Sequence, residues 1–264
     1  MAVSHDIRNC SADAVPSPIH VIPVAGLPEI CPGDDLALLI ANSAQRQDYQ
    51  VATGDIFVVA QKVVSKAEGR IVRLADIVPS REALDWADRW GKNPRLIELV
   101  LQQSKTIIRM ERGIIVSETA HGFICANAGV DASNTAGDTA ILLPENPDQS
   151  ARLLGARLEQ LFRASVGVII SDTFGRAWRE GLVNVALGVA GAPALTDYRG
   201  QLDGNGKLLH ATLIATADEI ASAAELVMGK ADRIPIVIVR GFSAAVPPGS
   251  GADLIRPAER DLFR

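Results

Sequence analysis

No stretch of this chain is long and apolar enough to span a bilayer. The most continuous apolar runs, Ile56 to Ala60, Val166 to Ile170 and Ile234 to Val239, fall far short of the roughly 20 residues a transmembrane helix needs. They read as buried strands. Cysteine is scarce: Cys10, Cys31 and Cys125 form no CxxC pair and cannot all pair within one chain, which points to reduced thiols in a cytoplasmic protein. Aromatic residues are few, with three tryptophans, two tyrosines and six phenylalanines. Positive charge is not in excess either. Twenty-six basic against 31 acidic residues give a formal charge of −5, which argues against a general nucleic-acid binder. A small polyanion needs only a few local cations. The chain also lacks a GxxxxGK[ST] phosphate loop, a strand-to-helix GxGxxG, an HExxH and a GxSxG, which lowers the expectation of the commonest nucleotide-binding and hydrolase classes.

What is present is an ordinary globular composition. The 264 residues are 48% hydrophobic and 22% charged, enough for one large or two modest domains and incompatible with wholesale disorder. Residues 1–19 carry no basic segment followed by an apolar one, so they read as a loose tail rather than a secretory signal. Folded character runs over 20–242, and 243–264 is a Pro/Gly-rich C-terminal tail.

HVIPVAGLP reads as a strand into a turn, and Pro32-Gly33-Asp34 as a helix start capped by Asp34. Gly54 to Val64 reads as one strand, Ser80 to Trp90 as a helix, and Asn93-Pro94 as the cap and first turn of another. Gly113 to Val130 predicts two strands about His121-Gly122, a turn histidine without a partner. Pro147-Asp148 opens a helix, and Val166 to Ser171 predicts a short buried strand. Thr216 and Glu219 suggest a capping box for a helix that Gly229 terminates, before a last strand from Ile234 to Val239. Without a regular βαβ rhythm or an internal repeat, the fold class is α+β, with mixed sheets and packed helices.

Three constellations could carry chemistry. Ser171 to Arg176, with Arg179, Glu180 and Gly181, puts the Asp172 carboxylate and the Thr173 hydroxyl at the end of a buried strand, where a hard cation could reach them. Arg176 and Arg179 could face phosphate or carboxylate. Equally, Asp172 could cap a turn and the arginines be solvated. Asn127 to Asn134 repeats the pattern with Asp131, or is an Asx-rich turn satisfying its own backbone. Oxygen-only donors of this kind suit Mg(2+) or Mn(2+). Gln61 to Arg70 places Lys62 and Lys66 where they could neutralise phosphates, or simply lie exposed.

Taken together and in order, GLPEI-x-PGDDLA, GDIFVVAQKVVSKAEGRIV, ETAHGFICANAGVDASN, LLPENPDQSA, GVIISDTFGRAWREG, ADEIASAAELVMGKA and VRG resemble the coenzyme F-420:L-glutamate ligase (gamma-glutamyl ligase) family, from His20 to Gly241. The resemblance implies a homodimer of two intertwined subdomains in the cytoplasm, with a cleft partly shared between subunits. It implies GTP-dependent activation of the phospholactyl carboxylate of coenzyme F-420-0, or of its dehydro form, as an acyl phosphate. The amine of L-glutamate then attacks, and a second round extends the tail by gamma-linkage. It further implies metal ligands at Asp131, Asp172 and Thr173 for Mg(2+) or Mn(2+), with K+ as an additional monovalent cation. GTP contacts fall on Leu27, Pro28, Glu29, Ile30, Gln61, Lys62, Lys66, Asn134, Met228, Gly229, Lys230, Ala231, Asp232, Arg233 and Ile234. Asp172, Arg176 and Arg179 are the catalytic candidates, the two arginines from charge and position alone.

One position departs from the family: the residue after Met-Gly is a metal-serving glutamate in archaeal members and Lys230 here. Either a second metal is held more by Asp172, Thr173 and water, or Lys230 replaces part of its charge. A related amide ligase with another acceptor or amino acid is the alternative reading, and a non-catalytic nucleotide-binding dimer module is the third. The last stretch, PPGSGADLIRPAERDLFR, resembles the connector to a reductase domain in some bacterial relatives, so any reductase step is expected from a separate polypeptide.

Overall fold

The computed structural model describes residues 17–132, 138–243 and 246–262. Twelve strands and six α-helices among them form the mixed α+β architecture. In chain order the strands are β1 (His20–Pro23), β2 (Ile56–Ala60), β3 (Ile71–Arg73), β4 (Ser104–Glu111), β5 (Ile114–Thr119), β6 (Ile124–Ala126), β7 (Thr139–Ile141), β8 (Gly167–Arg176), β9 (Arg179–Ala190), β10 (Thr196–Asp197), β11 (Leu213–Ile214) and β12 (Ile236–Arg240). The helices are α1 (Leu36–Arg46), α2 (Gln61–Ala67), α3 (Arg81–Trp90), α4 (Pro94–Gln103), α5 (Pro147–Phe162) and α6 (Thr216–Met228).

The main sheet has the order β1-β12-β2-β8-β9, and only β2 and β8 run parallel. Its central strands, IFVVA and IVIVR, are apolar at nearly every position because both faces are covered. Phe57 and Val59 pack with Ile40 of α1 and Leu154 and Leu158 of α5. Their neighbours Ile56 and Val58 point to the other face, onto Ala217, Ile220, Ala221 and Ala224 of α6. A second lobe has its own cores. Trp86 of α3, Ile97 and Val100 of α4 and Ile115 of β5 form one, beneath the sheet β4-β5-β6. Leu74, Leu99, Ala140 and Leu142 form a smaller one by the β3–β7 pair.

The caps explain several boundaries. Ser80 accepts from the Ala83 amide and Asn93 from the Arg95 amide, as their positions before α3 and α4 suggest. Four expectations need correction. The α1 cap is Asp35, whose Oδ1 accepts from the Leu38 amide at 3.0 Å, while Asp34 turns back to the Cys31 amide. The strand expected to reach Val64 ends at Ala60 and becomes α2, because Gln61, Val64 and Ser65 bury one helical face together. Burial outweighs the β-preference of Val63 and Val64 there. Thr216 lies inside α6 after the cap residue Ala215, so no capping box forms, and its hydroxyl pairs with Thr196 Oγ1 at 2.6 Å. The strand expected to stop at Ser171 continues to Arg176 as one arm of a hairpin with β9.

The C-terminal segment is docked against this sheet. Asp148, in the first turn of α5, accepts from the amides of Val189 (2.9 Å) and Gly251 (2.7 Å). A Cβ on Gly251 would lie 2.2 Å from the Leu187 carbonyl oxygen, so only glycine allows this approach.

Candidate active site

The site grows from the parallel pair. The β2–β8 pairing stops with Ala60 opposite Ser171, and the carboxyl side of a parallel strand pair is where ligands reach a sheet of this kind. Beyond that point β2 turns into α2, delivering Gln61 and Lys62. β8 continues in β-pairing with β9 alone, delivering Asp172 and Thr173 opposite Val185 and Asn184. Asp172 is therefore not at the end of its own strand, as expected from sequence, but one position past the point where the pairing with β2 stops.

Asp131 arrives from the second lobe. Three successive residues with positive φ, Asn127 (52°), Ala128 (50°) and Gly129 (70°), make a tight turn. A Cβ on Gly129 would meet Leu143 at 2.7 Å, which accounts for glycine there. Asp131 then exchanges both backbone hydrogen bonds with Ile141 (2.9 and 2.8 Å), and this fixes where its carboxylate emerges. Lys62 Nζ lies 2.7 Å from Asp131 Oδ2.

Asp172 is only partly exposed, and burial raises its carboxyl group to about 6. The Thr173 backbone N–H pulls it down, the Asp131 charge pushes it up, and the Lys230 and Lys62 charges pull it down. Two carboxylates that resist being charged together, beside a hydroxyl, are an oxygen donor set that a hard divalent cation would relieve. Mg(2+) or Mn(2+) therefore fits Asp131, Asp172 and Thr173. Among the described residues no three carboxylate, His or Cys side chains gather into a metal-binding group, so the remaining ligands of such an ion would be water and substrate oxygens. Burial, then the nearby Asp172 charge, push the Cys125 thiol up to about 12, and a thiol is in any case a soft donor that hard cations such as Mg(2+) do not favour.

Thr173 is anchored by a network that sequence reasoning missed. Its Oγ1 donates to Asn184 Oδ1 at 2.8 Å and accepts from Lys230 Nζ. Asn184 Nδ2 donates to Glu225 Oε2 at 3.0 Å, and Ser222 Oγ donates to the Asn184 carbonyl at 2.8 Å. Asn184 is only 4% exposed. The signal available was a lone amide inside the apolar run LVNVAL, because a buried polar side chain needs partners.

The nucleotide candidates partly converge. The segment Leu27 to Ile30 joins β1 to α1 without regular structure and anchors itself by buried Ile30, and Glu29 pairs with Lys66 of α2. Gln61 is buried and accepts from Ser65 Oγ at 2.9 Å. Met228 is buried at the end of α6, Gly229 turns the chain with φ 56°, and residues 229–233 are exposed before Ile234 returns to the core. Asn134 lies outside the described residues. Arg176 and Arg179 do not join Asp172 within this chain. They face each other across the exposed end of the β8–β9 hairpin, where Arg176 donates to the Glu180 carbonyl at 2.7 Å. His121 is a structural clamp, with Nε2 3.0 Å from the Pro144 carbonyl oxygen.

Residues 26–241 match the family model described as F420-0:Gamma-glutamyl ligase. A protein of Methanothermobacter thermautotrophicus named Coenzyme F420:L-glutamate ligase is 47% identical over 249 residues, 93% of this chain and 99% of that relative. A protein of the same name from Methanopyrus kandleri is 45% identical, covering 93% and 98%. Another, from Methanocaldococcus jannaschii, is 46% identical, covering 82% and 87%. No helix among the described residues is long and apolar enough to cross a membrane.

Proposed function

The chain belongs to the F420-0:gamma-glutamyl ligase family, and on that premise we propose that it joins L-glutamate to the phospholactyl carboxylate of coenzyme F-420-0, driven by GTP. The observation that carries the phosphoryl-transfer part is the grouping of Asp131, Asp172 and Thr173 with Lys62 and Lys230 around the point where the β2–β8 pairing stops. Bound there, Mg(2+) or Mn(2+) would neutralise phosphate oxygens.

In the first step a carboxylate oxygen of the acceptor attacks the γ-phosphorus of GTP, and the bond to the β-phosphate oxygen breaks. GDP leaves and an acyl phosphate forms. In the second, the glutamate amine attacks the acyl carbon, loses a proton and expels phosphate. Such a reaction needs positioning and charge rather than a covalent enzyme group. The residues divide accordingly. Lys62 and Lys66 supply fixed positive charge on α2, buried Gln61 and the Leu27–Ile30 segment offer contacts to the nucleoside, and Asn184 holds Thr173 in place. Repetition on the gamma-carboxylate of the added glutamate extends the tail.

The active form is proposed to be a homodimer with a shared cleft. Trp178 (80% exposed) and Leu182 (66%) on the projecting β8–β9 hairpin support this, since a partner would cover them. Arg176 and Arg179 would then serve a site completed across the interface.

The test is product mass spectrometry after incubation with F-420-0, GTP, Mn(2+) and a panel of amino acids. Increments of glutamyl residues, absent with other amino acids or without GTP, are expected. Transfer of a different amino acid, or GTP binding with no turnover, would overturn the reading.

A further inference from the structure

We infer that Lys230 is a built-in cation of the phosphoryl-transfer site, so that the site takes one divalent ion per chain rather than two. This rests on the phosphoryl-transfer reading above and adds a residue to it.

The backbone sets the lysine in place. α6 ends at Met228, and Gly229 takes φ 56° and ψ 175°. A Cβ there would lie 2.2 Å from Asp232 Oδ2. Only glycine makes this turn without displacing Asp232, and it directs the next residue back over β8. The Lys230 ammonium then donates to Thr173 Oγ1 and lies 3.2 Å from Glu225 Oε1.

These contacts close a ring. Thr173 gives its hydroxyl proton to Asn184 Oδ1, Asn184 gives an amide proton to Glu225 Oε2, and Glu225 balances Lys230 with its other oxygen. The polarity of every member is thereby set. Two consequences follow for a metal. Glu225 is the one further carboxylate of this ring, and its two oxygens are committed to Lys230 and Asn184. Thr173 Oγ1 donates to Asn184 and accepts from the ammonium, which leaves it one lone pair for a single further partner. A second divalent ion at the Glu225 end would have to sit against the ammonium, where like charges repel. The ammonium has three N–H groups, two of them used, and its side chain is 64% exposed. The third is available to a phosphate oxygen.

The experiment counts ions directly. Mn(2+) bound per chain is measured by electron paramagnetic resonance, with a non-hydrolysable GTP analogue present, in the wild type, Lys230→Glu and Lys230→Gln. One ion is expected in the wild type. Two are expected in Lys230→Glu, where the ring gains a carboxylate and frees Glu225. One is expected in Lys230→Gln, with the analogue bound about tenfold more weakly for loss of one charge-assisted hydrogen bond. Two ions in the wild type would overturn the inference while leaving glutamate transfer intact. So would one ion in a folded Lys230→Glu, or undiminished analogue affinity in Lys230→Gln. No ion in the wild type would overturn the inference and the phosphoryl-transfer reading together.

Discussion

Replacing Asp172 by alanine is expected to lower glutamate transfer by about a thousandfold or more, the scale seen when a preorganised electrostatic group is lost from a transition state. The reason is positional. Asp172 projects where β8 leaves β2 but stays paired to β9, so its backbone is held by strand pairing that the substitution leaves in place. Asp131 cannot compensate, because Lys62 sits 2.7 Å from it and offsets its charge. The same change should not unfold the protein. Burial holds Asp172 up at about 6, which means the folded surroundings disfavour the charged carboxylate, and alanine removes that cost. A coupled assay for GDP release and a thermal melt on the same sample check both halves. Activity within tenfold of wild type would remove Asp172 from the site, and a collapsed melting temperature would show a structural role instead.

The largest stability effect should come from Asp55, a residue with no part in the proposed chemistry. It is 1% exposed, receives Arg240 Nε at 2.8 Å and Nη2 at 2.6 Å through separate oxygens, and accepts from the Ala52 amide at 2.9 Å. Asp55→Ala leaves the guanidinium without its partner and the turn before β2 unpinned. Breaking a buried ion pair costs about 3–5 kcal/mol, and the partial exposure of Arg240 places this one near ~3 kcal/mol. For a chain of this size the melting temperature should fall by roughly 6–12 °C. Because the pair ties the end of β12 to the start of β2, Arg240→Ala should cost about as much. The double variant should cost less than the two single losses combined. A melting temperature within ~2 °C of wild type would show that water replaces the pair without penalty.

Legibility in the sequence followed the kind of force that decides each element. Where local chemistry decides, as at Ser80, Asn93-Pro94 and Pro147, starts and caps of helices were readable. Where burial decides, they were not. Val63 and Val64 look like strand residues, yet a helix buries Val64 together with Gln61, and α6 starts one residue earlier than its Thr216–Glu219 spacing suggests. The site divides in the same way. Asp131, Asp172 and Thr173 stood out as oxygen donors after apolar runs, and the family resemblance joined them to one reaction. Asn184 and Glu225 did not stand out, because their roles come from β9 and α6 packing against β8 across more than 40 positions of sequence between Asn184 and Glu225. Arg176 and Arg179 share a sequence segment with Asp172 and are candidates for phosphate or carboxylate from charge and position, and an extended strand carries each successive residue about 3.3 Å further along. They end on the hairpin tip.

The most direct test of the proposed chemistry follows one oxygen atom. F-420-0 labelled with oxygen-18 in its carboxylate is incubated with GTP, Mn(2+) and glutamate, and the released inorganic phosphate is analysed by mass spectrometry. Activation through an acyl phosphate requires the attacking carboxylate oxygen to leave with the phosphate, so one labelled oxygen per amide bond formed is expected there. Amide formation with unlabelled phosphate would contradict it.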